Sequence, residues 1–447
     1  MVKGTTTYYH LAKCLEKEFN CLGFTDFPSK RAFNDFLSKS LTREQKTELR
    51  SVAERILSTA TKNGKILDIK LVEEAIKKKV DNSKDLREAV KLVKRLVYPC
   101  IDLKIQKNAV FTTRDMLDVL VYISQNHDFC NNGSQTFRDV CPDRRIPHGD
   151  TVMYHLHKIE DIDEIKSVFE RIFDIIFKFA KKECGILHKR KHDIAIDIHK
   201  IPYFGSKSDS YVIGGKPERG TSNFYEFLTC SIVVAGKRFI IDAIPIHPLD
   251  IIDNLVDRIL KRAKEKIRIE RAYLDRGFDK PKVINVLKSN KIKFIMPKIK
   301  SDTVKAWFDK AEGCDARVIE GFQIGQGDNK AIVNLVLVDD EEGIKRAFIT
   351  NMHISEPFAH RLFTLYSRRW GIETSYRNVD HDFKPRTTSK DFNIRLFYFL
   401  FSVCLYNLWV LVNICIGINL YGKVPEKPII TAKRFSIVLY RVQIDYG

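Results

Sequence analysis

The run Asp193-Ile194-Ala195-Ile196-Asp197-Ile198-His199 decides how this chain is read. Ile194, Ala195, Ile196 and Ile198 surround Asp193, Asp197 and His199, so polar groups recur at every second position, as on a β-strand. Asp197 lies in the middle of an otherwise apolar segment. Two more strands are expected over 224–234 and 238–246, with Ala235-Gly236-Lys237 as the hairpin turn. A helix over 250–266, a strand over 270–275, a helix over 280–290 and a strand over 292–297 follow. Three strands in a meander and then alternating helices and strands predict an α/β layer with a mixed sheet.

Residues 301–352 interrupt this alternation. Short alternating runs, Arg317–Ile324 and Ala331–Val338, are joined by Gly- and Asp-rich turns and predict a β-rich insertion. A helix is expected over 356–377. The stretch 396–421, LFYFLFSVCLYNLWVLVNICIGINLY, is long and apolar enough to span a bilayer. Asn407, Asn413 and Asn419 interrupt it and no second span exists, so a helix buried against the core and a membrane anchor are both open readings, the first preferred.

Upstream of Asp193 the pattern is helical. Thr42 to Gln45 resembles a capping box and starts an amphipathic run ending at Asn63-Gly64. Another helix covers 83–97, before Pro99. Residues 112–158 predict three short helices. Thr113 caps the first, Asn131-Asn132-Gly133-Ser134 breaks it, a second covers 135–140 and a third begins near Asp150. The trio suits a helix-turn-helix and equally suits plain helical packing. A long amphipathic helix over 161–182 leads into the sheet. The chain divides at the sequence level into 1–110 and 111–190, both helical, then 191–300, 301–352 and 353–447.

The chemistry rests on three acids. Asp275 ends a strand in YLDRGF, and Glu373 lies on a helix in YSRRWGIE. Acids at strand ends and on a facing helix can converge at one edge of an α/β sheet. Three such carboxylates repel unless a hard cation neutralises them, and Mg²⁺ or Mn²⁺ prefers oxygen donors. Two such ions suit phosphodiester transfer. Tyr366, Arg369, Glu373 and Arg377 share one helix face, so arginines flank the last acid. A net charge of +19 calls for a polyanionic partner, nucleic acid or an anionic surface. The ten cysteines form no CxxC pair, which removes the usual support for zinc-ribbon or thioredoxin chemistry; Cys130 and Cys141 with His155 and His157 match no common zinc spacing. The helix bearing Arg258, Lys261, Arg262, Lys264 and Lys266 reads as a solvated face that can also meet phosphates.

Together these pieces resemble the DDE insertion-sequence transposases, the cut-and-paste group with an RNase H-like catalytic domain. DIAIDIHKIPYFG resembles the strand of the first acid, YLDRGF the second-acid motif, and YSRRWGIE the Tyr-x2-Arg-x3-Glu signature, in the same order and over about residues 190–410. The resemblance implies a transposase that cuts and joins DNA, with Asp197, Asp275 and Glu373 as catalytic metal ligands for two Mg²⁺ or Mn²⁺ ions. It implies Tyr366 and Arg369 as DNA contacts, with Arg276 and Arg377 beside them and Trp307 as an aromatic of the insertion. It further implies double-stranded DNA as partner (terminal inverted repeats and target), a homodimer on DNA, no membrane, and a cytoplasmic, nucleoid-associated place in a prokaryotic cell. The family signature has Lys seven positions after the Glu. This chain has Asp380 there, and Lys384, Arg386 or Arg377 is the candidate replacement. An RNase H-like nuclease or resolvase, and a non-catalytic DNA-binding derivative of a transposase, share these features.

Overall fold

The computed structural model describes residues 84–442 apart from 189, 312–315 and 340–342, together with Thr42 and Glu44. The chain forms two units, Met1–Ser83 and Lys84–Gly447, and the account below concerns the second. Apart from Thr42 and Glu44, the capping box and amphipathic run expected between Thr42 and Gly64 lie outside the described residues.

The second unit opens with helices α1 (Lys84–Val97), α2 (Thr113–Asn126), α3 (Cys130–Val140), α4 (Gly149–His157) and α5 (Ile162–Lys182). The expected cap on α2 is one residue early: Thr112 accepts from the Asp115 amide and Asp115 answers to the Thr112 amide, a complete capping box. The expected break at 131–134 is also displaced. The chain turns at His127, in the left-handed region, and Asn131-Asn132-Gly133-Ser134 lies inside α3. Asn132 bonds Asp128 and Ser134 bonds the Asn131 carbonyl, while a Cβ on Gly133 would stand 2.3 Å from Ile123. The glycine lets α3 lie against α2, so helical contact overrides its loop-like composition.

The strands are β1 (His192–Tyr203), β2 (Ile213–Glu218), β3 (Thr221–Ile232), β4 (Ile240–Pro245), β5 (Ile269–Leu274), β6 (Lys293–Pro297), β7 (Ala316–Gln326), β8 (Asn329–Asp339) and β9 (Lys345–Thr350). Helices α6 (Ile252–Lys266), α7 (Pro281–Ser289) and α8 (Asp302–Lys310) lie between them. The sheet order is β2-β3-β1-β5-β6-β9-β8-β7, with β4 on β3. β1 is central, antiparallel to β3 and parallel to β5, which explains why Ile194, Ala195 and Ile196 are all buried. The structure adds β2, a strand that was not expected. The segment expected as a β-rich insertion holds α8 and three strands, and these strands extend the main sheet through β9 on β6.

The helix expected over 356–377 is in pieces: α9 (His360–Tyr366), a 3₁₀ turn at Ser367–Arg369, α10 (Trp370–Asn378) and a π turn at Val379–Phe383. The apolar stretch is α11 (Phe392–Tyr421), and 94% of its most apolar window is buried inside the protein. Its asparagines have structural uses. Asn407 bonds both the amide and the carbonyl of Ile240 on β4, and Asn413 accepts from Ile429 and Ile430. A polar side chain on an apolar helix here satisfies backbone groups that lack a sheet neighbour. The last helix, α12 (Ala432–Arg441), is pinned by the buried Lys94, which donates to the Leu439 and Val442 carbonyls and pairs with Asp118 at 2.7 Å.

Candidate active site

β1 and β5 run parallel with Ile196 opposite Leu274, so the next residues, Asp197 and Asp275, are neighbours at the carboxyl end of β5. Asp275 caps the 3₁₀ turn Arg276–Phe278, accepting from the Gly277 amide at 2.8 Å. The backbone of this turn fixes the direction of its carboxylate. Glu373 comes from α10, which packs across β1.

Arg369 ties the group together. Its guanidinium donates to Asp197 Oδ2 at 3.1 Å and to Glu373 Oε1 at 2.6 Å. Burial pushes the Asp197 carboxyl up to about 6; Arg369 pulls it down, and the charges of Asp275 and Glu373 push it up. Asp197 therefore senses both other acids across the site. Tyr366 is half-buried against Phe348, with the Arg369 guanidinium 5.7 Å from its ring centroid, and burial pushes its hydroxyl up to about 12.

Asp193, the nearest rival to Asp197, is fully committed elsewhere. It accepts from Arg271 at 3.0 and 3.1 Å, from the Tyr273 hydroxyl at 2.8 Å and from Arg368 at 2.9 Å. It fastens β1 to β5 and to the turn before α10. Arg368 and Arg369 are adjacent in sequence, and each reaches a carboxylate of β1. Both long side chains reach the strand from the 3₁₀ turn Ser367–Arg369.

His199, two residues past Asp197, is buried between the rings of Tyr376 and Phe399. Its Nε2 faces Asp380 Oδ2 at 3.3 Å, and Asp380 Oδ1 holds Lys384 Nζ at 2.5 Å. Burial alone would raise the Asp380 carboxyl, but His199 and Lys384 outweigh it and hold it well below the usual carboxylate range. The aspartate at the signature position thus carries a lysine one helical turn further on. No local sequence motif announces this chain of contacts, because His199 belongs to a strand and Asp380 to a π turn.

The structure brings Asp197, Asp275, Glu373, Arg369 and Tyr366 together. Arg276 and Arg377 are exposed beside Asp275 and along α10. Trp307 stands apart on α8, half-exposed, with Lys310 Nζ 5.0 Å from its ring centroid. The basic residues of α6 are engaged within the fold: Arg258 and Arg262 with Glu170, Lys261 with Asp257, Lys264 with Asn290, and Lys266 with Asp174. Cys130 is buried and donates to the Gly149 carbonyl, and His155 contacts the Leu103 carbonyl. Among the described residues, no group of three or more His, Cys, Asp or Glu side chains is gathered closely enough to hold an ion as it stands. At the carboxylates, Arg369 occupies the space between two of the three acids. The donor set fits a hard divalent cation: all oxygen, excess negative charge, and a guanidinium already clamped where positive charge is wanted.

A mixed sheet with acids on adjacent parallel strands and on a facing helix defines an RNase H-like nucleotidyl-transfer domain. Residues 188–408 match the family model described as Transposase DDE domain, and this part of the chain is a DDE transposase domain, a domain of metal-dependent DNA cleavage and strand transfer. Among solved structures it is similar in fold to the piggyBac transposase in its synaptic complex with hairpin DNA, with 11% identity, a TM-score of 0.50, and 79% of this chain and 77% of that one covered. A match to the Mos1 strand transfer complex has 10% identity and a TM-score of 0.17 over 65% of this chain and 91% of that one. No curated protein matches the sequence.

Proposed function

We propose that this chain binds the terminal inverted repeats of a mobile element as double-stranded DNA, cuts them at Asp197, Asp275 and Glu373, and joins the freed 3′ ends to target DNA. The observation that carries the proposal is the joining of Asp197 to Glu373 through Arg369, with Asp275 beside Asp197 on the neighbouring parallel strand and the Asp197 carboxyl pushed up to about 6 by burial and by its acidic neighbours. Asp197, Asp275 and Glu373 are the ligands we assign to divalent metal, Mg²⁺ or Mn²⁺, as two ions. Such ions, when bound, supply charge neutralisation at the phosphate and an activated hydroxyl.

The protein's own groups do the rest. Asp275 is held by its turn and Asp197 by β1, so the two acids keep their spacing without metal. Arg369 moves little to exchange carboxylate partners for a phosphate, since both are bidentate acceptors. Tyr366 braces that guanidinium. Arg276, Arg377 and Lys384 stand around the acids as backbone contacts, and Trp307 with Lys310 adds a stacking face on α8. In cleavage a water oxygen forms the new bond to phosphorus and the 3′ oxygen leaves; in joining, the freed 3′ hydroxyl forms the new bond to a target phosphorus and the target strand's own 3′ oxygen leaves. Neither step needs a side-chain nucleophile.

A net charge of +19 supports a DNA partner. End recognition is assigned to regions 1–110 and 111–190, the catalytic parts to 191–300 and 353–447 with 301–352 between them, and the working form to a homodimer on DNA. The burial of α11 agrees with a cytoplasmic, nucleoid-associated protein. The test is a donor plasmid carrying the element's ends, incubated with the chain and Mg²⁺. Joined products support transposition, whereas cuts with no joined product would reduce the protein to a nuclease.

A further inference from the structure

Beyond the acids, β1 continues on the same sheet face through His199 to Ile201 and Tyr203. A cleft of about 340 Å³ opens there, between the end of β1 and the segment that follows Lys384. Ile201 stands about 13 Å from Asp197 along the strand, the reach of a few nucleotides. Of the residues lining the cleft, four are basic, Arg219, Lys384, Arg386 and Arg395, and none is acidic. Arg395 is laid flat by its neighbours, with its guanidinium 5.0 Å from the Tyr203 ring and its Nε donating to the Ser389 carbonyl. At the mouth stands Phe204, with 72% of its surface exposed.

Phe204 is too exposed to add much to the core, and it shares the cleft with the held guanidinium of Arg395. A positively charged groove with an open aromatic face is the usual chemistry for single-stranded nucleic acid: the cations follow the phosphates and a base stacks on the ring. Duplex DNA would leave Phe204 without a partner, because the faces of paired bases are covered by their neighbours.

Resting on the DNA-cutting function above, we propose that this cleft holds an unpaired nucleotide of the strand beside the cut, its base against Phe204 and its phosphate among Lys384, Arg386 and Arg395. The strand passing the acids enters the cleft at Ile201.

The experiment compares binding of the full chain to a short duplex, blunt or with a single-stranded 3′ extension, by fluorescence anisotropy without divalent metal. Wild type prefers the extended duplex. Phe204→Ala loses that preference, by about tenfold in affinity, while binding the blunt duplex as before; Phe204→Trp keeps it. Arg386→Ala weakens the extended complex and lowers its salt dependence by about one counterion. If Phe204→Ala retains the preference, or loses blunt and extended binding equally, the cleft is not a nucleotide site. The second outcome makes Phe204 a contact to duplex or to a second copy. A wild-type chain that binds the blunt duplex with no preference overturns this inference alone. One that binds neither DNA overturns the function it rests on as well.

Discussion

Asp197 on β1 and Arg369 in the turn before α10 meet at 3.1 Å, although they are far apart in the chain. Through that contact the first acid is joined to the third, because the same guanidinium holds Glu373 at 2.6 Å. Arg369 neutralises a cluster that would otherwise repel itself.

Replacing Arg369 with Ala therefore leaves three acids with less compensation. The variant loses about 1–3 kcal/mol of stability in metal-free buffer, since a largely buried charge loses its partner. A divalent cation takes over part of the role, so Mg²⁺ raises the melting temperature of Arg369→Ala more than that of wild type. Equal shifts in the two proteins would deny Arg369 this part.

Asp193 and Asp197 separate by a simple contrast. Asp193 is 4% exposed and bonded to Arg271, Tyr273 and Arg368. Asp193→Asn is expected to lower the urea midpoint by an amount equivalent to about 2 kcal/mol while leaving measurable cleavage in the folded fraction. Asp197→Asn keeps its stability and loses cleavage. A folded Asp193→Asn chain that is fully inactive would reverse the assignment.

Lys384 is held on Asp380, and we assign it as the replacement for the signature lysine. Lys384→Ala weakens binding to all DNA sequences alike and lowers the slope of log K against log salt by about one. A sequence-selective loss, or an unchanged slope, would remove it from the phosphate contacts.

Asn407→Leu tests the meaning of the long apolar helix. On a membrane span the change is favourable. In this fold it strips both hydrogen bonds from Ile240 and costs about 1–3 kcal/mol, read by denaturant unfolding without detergent. A neutral or stabilising effect would contradict the packing of α11.

The sequence carried much of this plainly where local pattern decides structure. The alternation around Asp197, the Asp275 turn and the amphipathic helices flanking the sheet are short-range signals. β2 was hidden because Gly214, Gly215 and Pro217 give an exposed edge strand no alternation. Asn131 to Ser134 has the composition of a loop, and only the approach of Ile123 explains its helix. The continuation of the sheet into β7, β8 and β9 depends on β6 pairing with β9, a long-range contact that no local run of residues announces. At the site, the motifs pointed to the three acids and to Tyr366 and Arg369. The commitment of Asp193 to two arginines and a tyrosine, and the path from His199 through Asp380 to Lys384, required side chains from distant elements to be placed together.

The most direct measurement is Mg²⁺-dependent cleavage of end-bearing DNA by Asp197→Asn, Asp275→Asn and Glu373→Gln, each first shown to be folded and to bind the ends. Each single change is expected to abolish cleavage while end binding persists. Three folded variants that still cut would contradict the assignment of these acids as the catalytic centre.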